Sequence, residues 1–360
     1  MTYEYVVSGT VIYDDEFEAM EGYVVIRDGI IHEVGTGEVD SSIQGIIAPA
    51  FINAHTHVGD SVAKDISFDS LKELVKPDGL KYKMLSEASE QKLIASMTSC
   101  LCDMKRTGTC AFVDFREGGV SGVRALKRAC VGGLKPFILG RPDGDGVKDV
   151  LMVADGIGMS SVNDHPWDVL KGAADASRKS GKLFAIHAGE ADRSDIKGAL
   201  ELSPDFLVHM TCADEGGIRV AADKNIPIVV CPRSNFMTGV ARSSERPPIK
   251  TMIESGVTVA LGTDNVMLNS TNMFAEMEFT AKILLQDDGQ VFKMATLNGA
   301  KMLHLDEKIG SIREGKISHI MILDEKSNNL CGTKDVIKSI VRRARPDDIK
   351  VVLEGKSGAV

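Results

Sequence analysis

Long hydrophobic runs are missing from this sequence. No stretch of its 360 residues reaches the roughly 18 uninterrupted apolar residues that a membrane-spanning helix needs, so no membrane span is expected. A basic surplus is missing too. Lys and Arg number 42 against 51 Asp and Glu, a formal charge of −9. A nucleic-acid surface usually needs the opposite balance, so nucleic acid is not an expected partner. Cysteine is sparse, odd in number and unpatterned: seven residues, with no C-x-x-C. That argues against a disulfide framework and for reduced thiols in a cytoplasmic protein. The opening residues lack the basic segment and apolar core of a secretory signal, and none is expected. Glycine is plentiful at 35, but without a Gly-X-Y period, which excludes collagen.

What remains is an ordinary globular composition, 43% hydrophobic and 26% charged, ample for a sizeable core. Both ends of the chain look β. Tyr5-Val6-Val7 and Val11-Ile12-Tyr13 are apolar runs, and two strand-like runs meet at Asp28-Gly29, a hairpin turn signal. The same texture returns at 317–324 and 349–356. The reading is one small β-sandwich domain built from 1–48 and 309–360. Between them, eight short apolar runs recur at 46–52, 110–115, 136–140, 155–158, 183–187, 206–209, 226–231 and 257–262. Segments of helical periodicity, such as 87–105, 122–130 and 168–179, fill most of the gaps. The 140–155 gap is short and rich in Gly and Asp, the weakest unit. Parallel strands need such crossovers, so the α/β middle, 49–308, is expected to be a TIM-like (β/α)₈ barrel.

Catalytic residues in such a barrel project from the C-terminal ends of strands. The first run ends in Asn53-Ala54-His55-Thr56-His57. The fifth ends at His187 with Glu190 three residues on, the sixth at His209, and the eighth leads to Asp264. Only eight histidines exist, and four stand at strand ends. Residues two apart on a strand point the same way, so His55 and His57 can grip one cation. His187 and Asp264 complete an N/O ligand set that suits Zn²⁺, with Fe²⁺ as the rival. Glu190 and His209 remain for proton transfer and orientation. Arg116, Glu117 and Arg141 follow the second and third runs and are candidates to line the pocket. Ser234 and Asn235 are candidates to face substrate. His32, His165, His304 and His319 are expected to lie away from the barrel mouth and receive no function.

These motifs, in order, resemble the amidohydrolase superfamily, in the branch of guanine deaminase, S-adenosylhomocysteine-type deaminases and triazine chlorohydrolases. Pro49-Ala50-Phe51-Ile52-Asn53-Ala54-His55-Thr56-His57 is similar to the branch's entry motif, and His187-Ala188-Gly189-Glu190 to its H-x-x-E. Cys231-Pro232-Arg233-Ser234-Asn235 resembles its N-P-x-S-N segment, with Cys for the first Asn. Leu261-Gly262-Thr263-Asp264 resembles its metal-aspartate strand, and Gly310-Ser311-Ile312-Arg313-Glu314-Gly315-Lys316 its return to the small β domain. The resemblance implies one divalent metal on His55, His57, His187 and Asp264. It implies that Glu190 protonates the ring nitrogen or leaving group, that His209 hydrogen-bonds the attacking water or the substrate, and that Asp264 also takes a proton. No lysine stands at the fourth run, Asp155-Gly156-Ile157-Gly158-Met159-Ser160, which favours a single metal. Nor does that run lead into the P-H-S-P-like histidine of adenine-type deaminases. The expected activity is hydrolytic deamination of an aminated purine, pterin, pyrimidine or triazine-like ring. Removal of halide, opening of a cyclic amide, and a non-catalytic binding protein are the alternatives. Partners are the small heterocycle and water, with homo-oligomerisation left open.

Overall fold

The structure is a computed structural model that describes residues 4–67, 73–74 and 79–355. The chain begins with β1 (Glu4–Tyr13), β2 (Glu18–Arg27), β3 (Ile30–Thr36) and β4 (Ile43–Pro49). It continues through β5 (Phe51–His57), β6 (Thr109–Arg116), β7 (Lys135–Gly140), β8 (Gly156–Met159) and β9 (Leu183–Ala188). Then come β10 (Phe206–His209), β11 (Ile228–Val230), β12 (Val259–Leu261) and β13 (Asp264–Asn265), and finally β14 (Ile320–Leu323) and β15 (Ile349–Leu353).

Both ends of the chain share one six-stranded sheet, ordered β15-β14-β4-β1-β2-β3. Asp28 and Gly29 both take positive φ (49° and 83°), the geometry of a tight hairpin turn, and join β2 to β3. Val7, Val11, Val24, Ile26, Ile31, Ile47, Ile320 and Ile322 form this sheet's core. Residues 1–3 and 356–360 of the expected terminal unit lie outside the described residues.

β5 to β13 form the second sheet, all its pairs parallel. Its last strand is broken at Gly262-Thr263. The first half, β12, pairs with β11, and the second half, β13, pairs Asp264 with Thr56 and Asn265 with His57 on β5. The strands therefore close into a ring, but the first run is divided: residues 46–49 pair within β4 of the six-stranded sheet, and the barrel's first strand is β5, ending at His57. Gly262 permits the closure, because a Cβ there would meet the Cβ of His55 at 2.7 Å. Strand alternation sorts the side chains. Val113, Phe115, Ala185, Phe206 and Val208 share one cluster, while Phe112, Phe184, Ile186 and Leu207 join the larger cluster with the helices.

Helices occupy the gaps. The short 140–155 gap holds Val147–Val153. The 87–105 segment begins its helix later, at Glu90–Arg106, because Ser89 caps it by accepting a bond from the Lys92 amide. Among the described residues, no helix is long and apolar enough to cross a membrane.

Candidate metal centre and active site

The C-terminal ends of β5 and β9 bring three imidazoles to one point. His55 and His57 stand two apart on β5 with ring centroids 4.9 Å apart, and His55 and His187 are also 4.9 Å apart. His55 Nε2 lies 3.3 Å from His187 Nε2 and 3.3 Å from Asp264 Oδ1. His57 Nε2 lies 3.6 Å from the same carboxylate oxygen.

The outer nitrogens fix how these rings are protonated. His187 Nδ1 donates to the Met159 carbonyl at 2.8 Å, and His57 Nδ1 donates to Glu117 Oε1 at 3.0 Å. Their Nε2 atoms then carry lone pairs, aimed at an ionised carboxylate. Burial drives the His55 and His187 imidazoles toward the neutral form. Burial, and then the charge of Lys81, pushes His57 down to about 3. Burial alone would raise the Asp264 carboxyl, but the hydrogen bond from His55 holds it well below the usual carboxylate range. Neutral rings and an ionised carboxylate are the forms that ligate metal. With nothing between them these lone pairs repel, so the donor set fits a divalent cation. Ligand atoms of His55, His57 and Asp264 fall within 4.8 Å of one another, as do those of His55, His187 and His209.

The backbone is bent to aim two of these groups. Asp264 sits at φ 57°, and His209 and Met210 at 77° and 50°, left-handed conformations that a non-glycine residue adopts at a cost of about 1–3 kcal/mol. Asn53 secures the break in the last strand. Its Nδ2 donates to Thr263 Oγ1 at 2.7 Å, and its Oδ1 accepts from the Thr263 amide at 3.0 Å. Ser234 Oγ donates to Asp264 Oδ2 at 2.5 Å.

Beside the donor set, His209 Nε2 lies 3.6 Å from Glu190 Oε2, and Asn235 Nδ2 donates to His209 Nδ1 at 3.2 Å. Burial raises the Glu190 carboxyl above its ordinary value. Both residues border a cavity of about 480 Å³, together with His57, His187 and Asp264.

All six residues expected to carry metal or proton chemistry thus converge. The five expected to contact substrate divide. Arg141 and Ser234 border the cavity, although Ser234 spends its hydroxyl on Asp264. Arg116, Glu117 and Asn235 lie beneath the surface instead. Arg116 is 1% exposed and packs under Gly59, where a Cβ would meet its guanidinium at 1.9 Å. Glu117 holds His57, and Asn235 holds His209.

Lys81, Tyr82 and His165 are among the wall residues with no counterpart among the expected site residues. Lys81 and Tyr82 begin the helix Leu80–Glu87, in no motif. His165, expected to lie away from the mouth, borders the cavity and meets Ser160 Oγ at 2.9 Å. Its place in the loop after β8, at the barrel's catalytic face, was the available signal.

Residues 46–357 match the amidohydrolase family. This chain belongs to that family. An uncharacterised protein of Methanocaldococcus jannaschii is 34% identical, with 94% of each chain covered. A 5-methylthioadenosine/S-adenosylhomocysteine deaminase of Moorella thermoacetica is 27% identical, covering 93% of this amidohydrolase and 89% of the relative. Among solved structures, an adenosine deaminase from Xanthomonas campestris with bound zinc superposes with a TM-score of 0.82. It is 15% identical, with 97% of this chain and 91% of that one covered, a likeness of fold.

Proposed function

We propose that this amidohydrolase holds one divalent metal and hydrolyses a non-peptide carbon–nitrogen bond of a small heterocycle, releasing ammonia from an aminated ring. The observation that carries this reading is the convergence of neutral imidazoles and the ionised Asp264 beside a raised carboxyl, Glu190, on one cavity. His55, His57, His187 and Asp264 are the ligands. A single metal is favoured because β8, with the sequence Gly-Ile-Gly-Met, offers no lysine to bridge a second. The mixed N/O set and the zinc in the Xanthomonas structure support Zn²⁺ over Fe²⁺.

When bound, such a cation polarises water toward ionisation near neutral pH. The chain's own groups do the rest. His209, fixed by Asn235, orients the attacking water. Asp264 accepts its proton. Glu190, whose carboxyl burial raises above its ordinary value, gives its proton to the ring nitrogen; Asp264 passes the water's proton to the departing amine, and as the C–N bond breaks and the carbonyl forms, the released hydroxyl proton returns to Glu190.

The seven free cysteines support a reducing, cytoplasmic setting. The six-stranded sheet supports reading 1–48 with 309–360 as one unit and 49–308 as the other.

The test is elemental analysis of purified protein together with ammonia release across purines, pterins, pyrimidines and triazines. One zinc per chain and ammonia from at least one aminated ring are expected. Two metals per chain reject the mononuclear reading, and metal without ammonia release across the panel rejects deamination.

A further inference from the structure

Beneath the donor set lies a group of buried charges that the proposed chemistry does not use. Glu117 Oε1 accepts from His57 Nδ1 at 3.0 Å and from Lys81 Nζ at 2.6 Å. Its Oε2 accepts from Arg116 Nη2 at 2.5 Å. Lys81 Nζ also stands 3.0 Å from Asp60 Oδ2 and 3.3 Å from His57 Nδ1. The side chains of Lys81, Glu117, Arg116 and Asp60 are all at most 5% exposed. Burying such charges costs several kcal/mol per ion, and apolar residues of similar volume often serve stability as well or better. Stability alone is therefore a weak account of the cluster.

The three imidazoles differ in what holds their outer nitrogen. His187 gives its Nδ1 proton to a neutral carbonyl, that of Met159. His55 Nδ1 has no partner among the described residues. Of the three, His57 alone sets its outer nitrogen against a carboxylate. A carboxylate on the outer N–H draws that proton and makes the opposite nitrogen a stronger donor. Lys81 contacts the same carboxylate oxygen and so draws its charge the other way, while placing a cation near the ligand ring.

We propose that Glu117 and Lys81 are an opposed pair of positioning residues that set the metal affinity through His57, Glu117 raising it and Lys81 lowering it. Glu117 is then a partner of the metal ligand and not a substrate contact. The inference rests on the proposed metal site.

The test is Zn²⁺ affinity of the full chain, measured by competition with a chelator, with the visible absorption of the Co²⁺-substituted protein as a second readout. Glu117→Gln keeps the shape and an acceptor oxygen but removes the charge. Zn²⁺ affinity should fall about 10–100-fold. Lys81→Met should tighten Zn²⁺ binding and shift the Co²⁺ bands opposite to Glu117→Gln. Glu117→Asp preserves the counter-charge for Lys81 and Arg116, guarding against misfolding, but draws the carboxylate back from His57. It should also weaken Zn²⁺ binding. Opposite signs for Glu117→Gln and Lys81→Met support the pair, because a merely structural role lowers affinity and thermal stability together in both. Parallel losses, or unchanged affinity in the Glu117 variants, overturn it. A native protein that binds no Zn²⁺ removes the metal site first, and native binding with unchanged variants removes only the opposed pair.

Discussion

Replacing Glu190 by Gln isolates the proton-transfer step from the metal. The Glu190 side chain is a quarter exposed, borders the cavity and places Oε2 3.6 Å from His209 Nε2. It follows Gly189, whose φ of 62° turns the chain off the end of β9. Gln preserves that shape but can neither deliver nor accept a proton at neutral pH. General acid–base groups are typically worth about 10²–10⁴ in rate. At about 1.36 kcal/mol per tenfold, that is roughly 3–5 kcal/mol of barrier. The variant should therefore keep one metal per chain and a nearly unchanged KM, while kcat for ammonia release falls by that factor. His187→Ala gives the contrast. It removes a ligand whose Nδ1 is already fixed by Met159, so metal itself should be lost. Metal content and steady-state ammonia release on both variants, at one pH, complete the assay. Loss of metal from Glu190→Gln, as from His187→Ala, makes Glu190 a ligand and refutes its role as the proton donor. Retention of metal with near-full turnover makes it a bystander and removes the main support for deamination.

Ser234→Ala removes the donor to Asp264 Oδ2, a bond to a charged acceptor worth about 1.5–3 kcal/mol, and should weaken metal binding by about tenfold in a chelator competition. Unchanged affinity means the hydroxyl does not hold that carboxylate. Asp15→Asn tests the contact between the two ends of the chain, where Lys316, 1% exposed, meets Asp15 Oδ1 at 3.2 Å. Burial would raise the Asp15 carboxyl, but the Ser311 hydroxyl and Lys316 hold it below the ordinary range. A depressed carboxyl stabilises above its unfolded value near 4 and loses that contribution as pH falls through the folded value. Asp15 is a third exposed, so the loss at neutral pH should be about 1 kcal/mol in denaturant unfolding. The gap from the native protein should close in acid, and one that persists there has another cause.

The ring of strands was legible because each strand is a short apolar run between segments of helical period. The proposed metal ligands were legible because each stands at or just past the end of such a run, and His55 and His57 are two apart on an extended strand. The break in the last strand was not. The run 257–262 contains only β12; the second half, Asp264–Asn265, lies beyond it and depends on pairing to β5, at the far end of the barrel's sequence, which spacing cannot carry. Arg116 and Glu117 were misleading for a related reason. They follow a strand run as the ligands do, but whether a residue there faces the cavity or the layer below depends on Gly59, distant in sequence, leaving space for a guanidinium. Lys81 had no signal at all, since only the tertiary fold brings Leu80–Glu87 onto the donor set.

The least legible feature is how the site is aimed, and it explains why so many polar groups surround it. Left-handed φ at His209 and Asp264 is not written in any motif, because neither residue type demands it. Such conformations persist only when neighbouring contacts over-determine them. At Asp264 the contacts are the paired bonds between Asn53 and Thr263 and the Ser234 hydroxyl. At His209 the contact is Asn235. Asn53, Ser234 and Asn235 therefore belong to the same device as the site residues they hold. A barrel that only needed a packed interior would fill these positions with aliphatic residues. This one instead places buried amides and a hydroxyl where they hold two bent strand ends. The lone pairs of His57 and His187 and the charge of Asp264 then meet at one point, and that convergence is unfavourable in itself and becomes favourable when a cation stands within it.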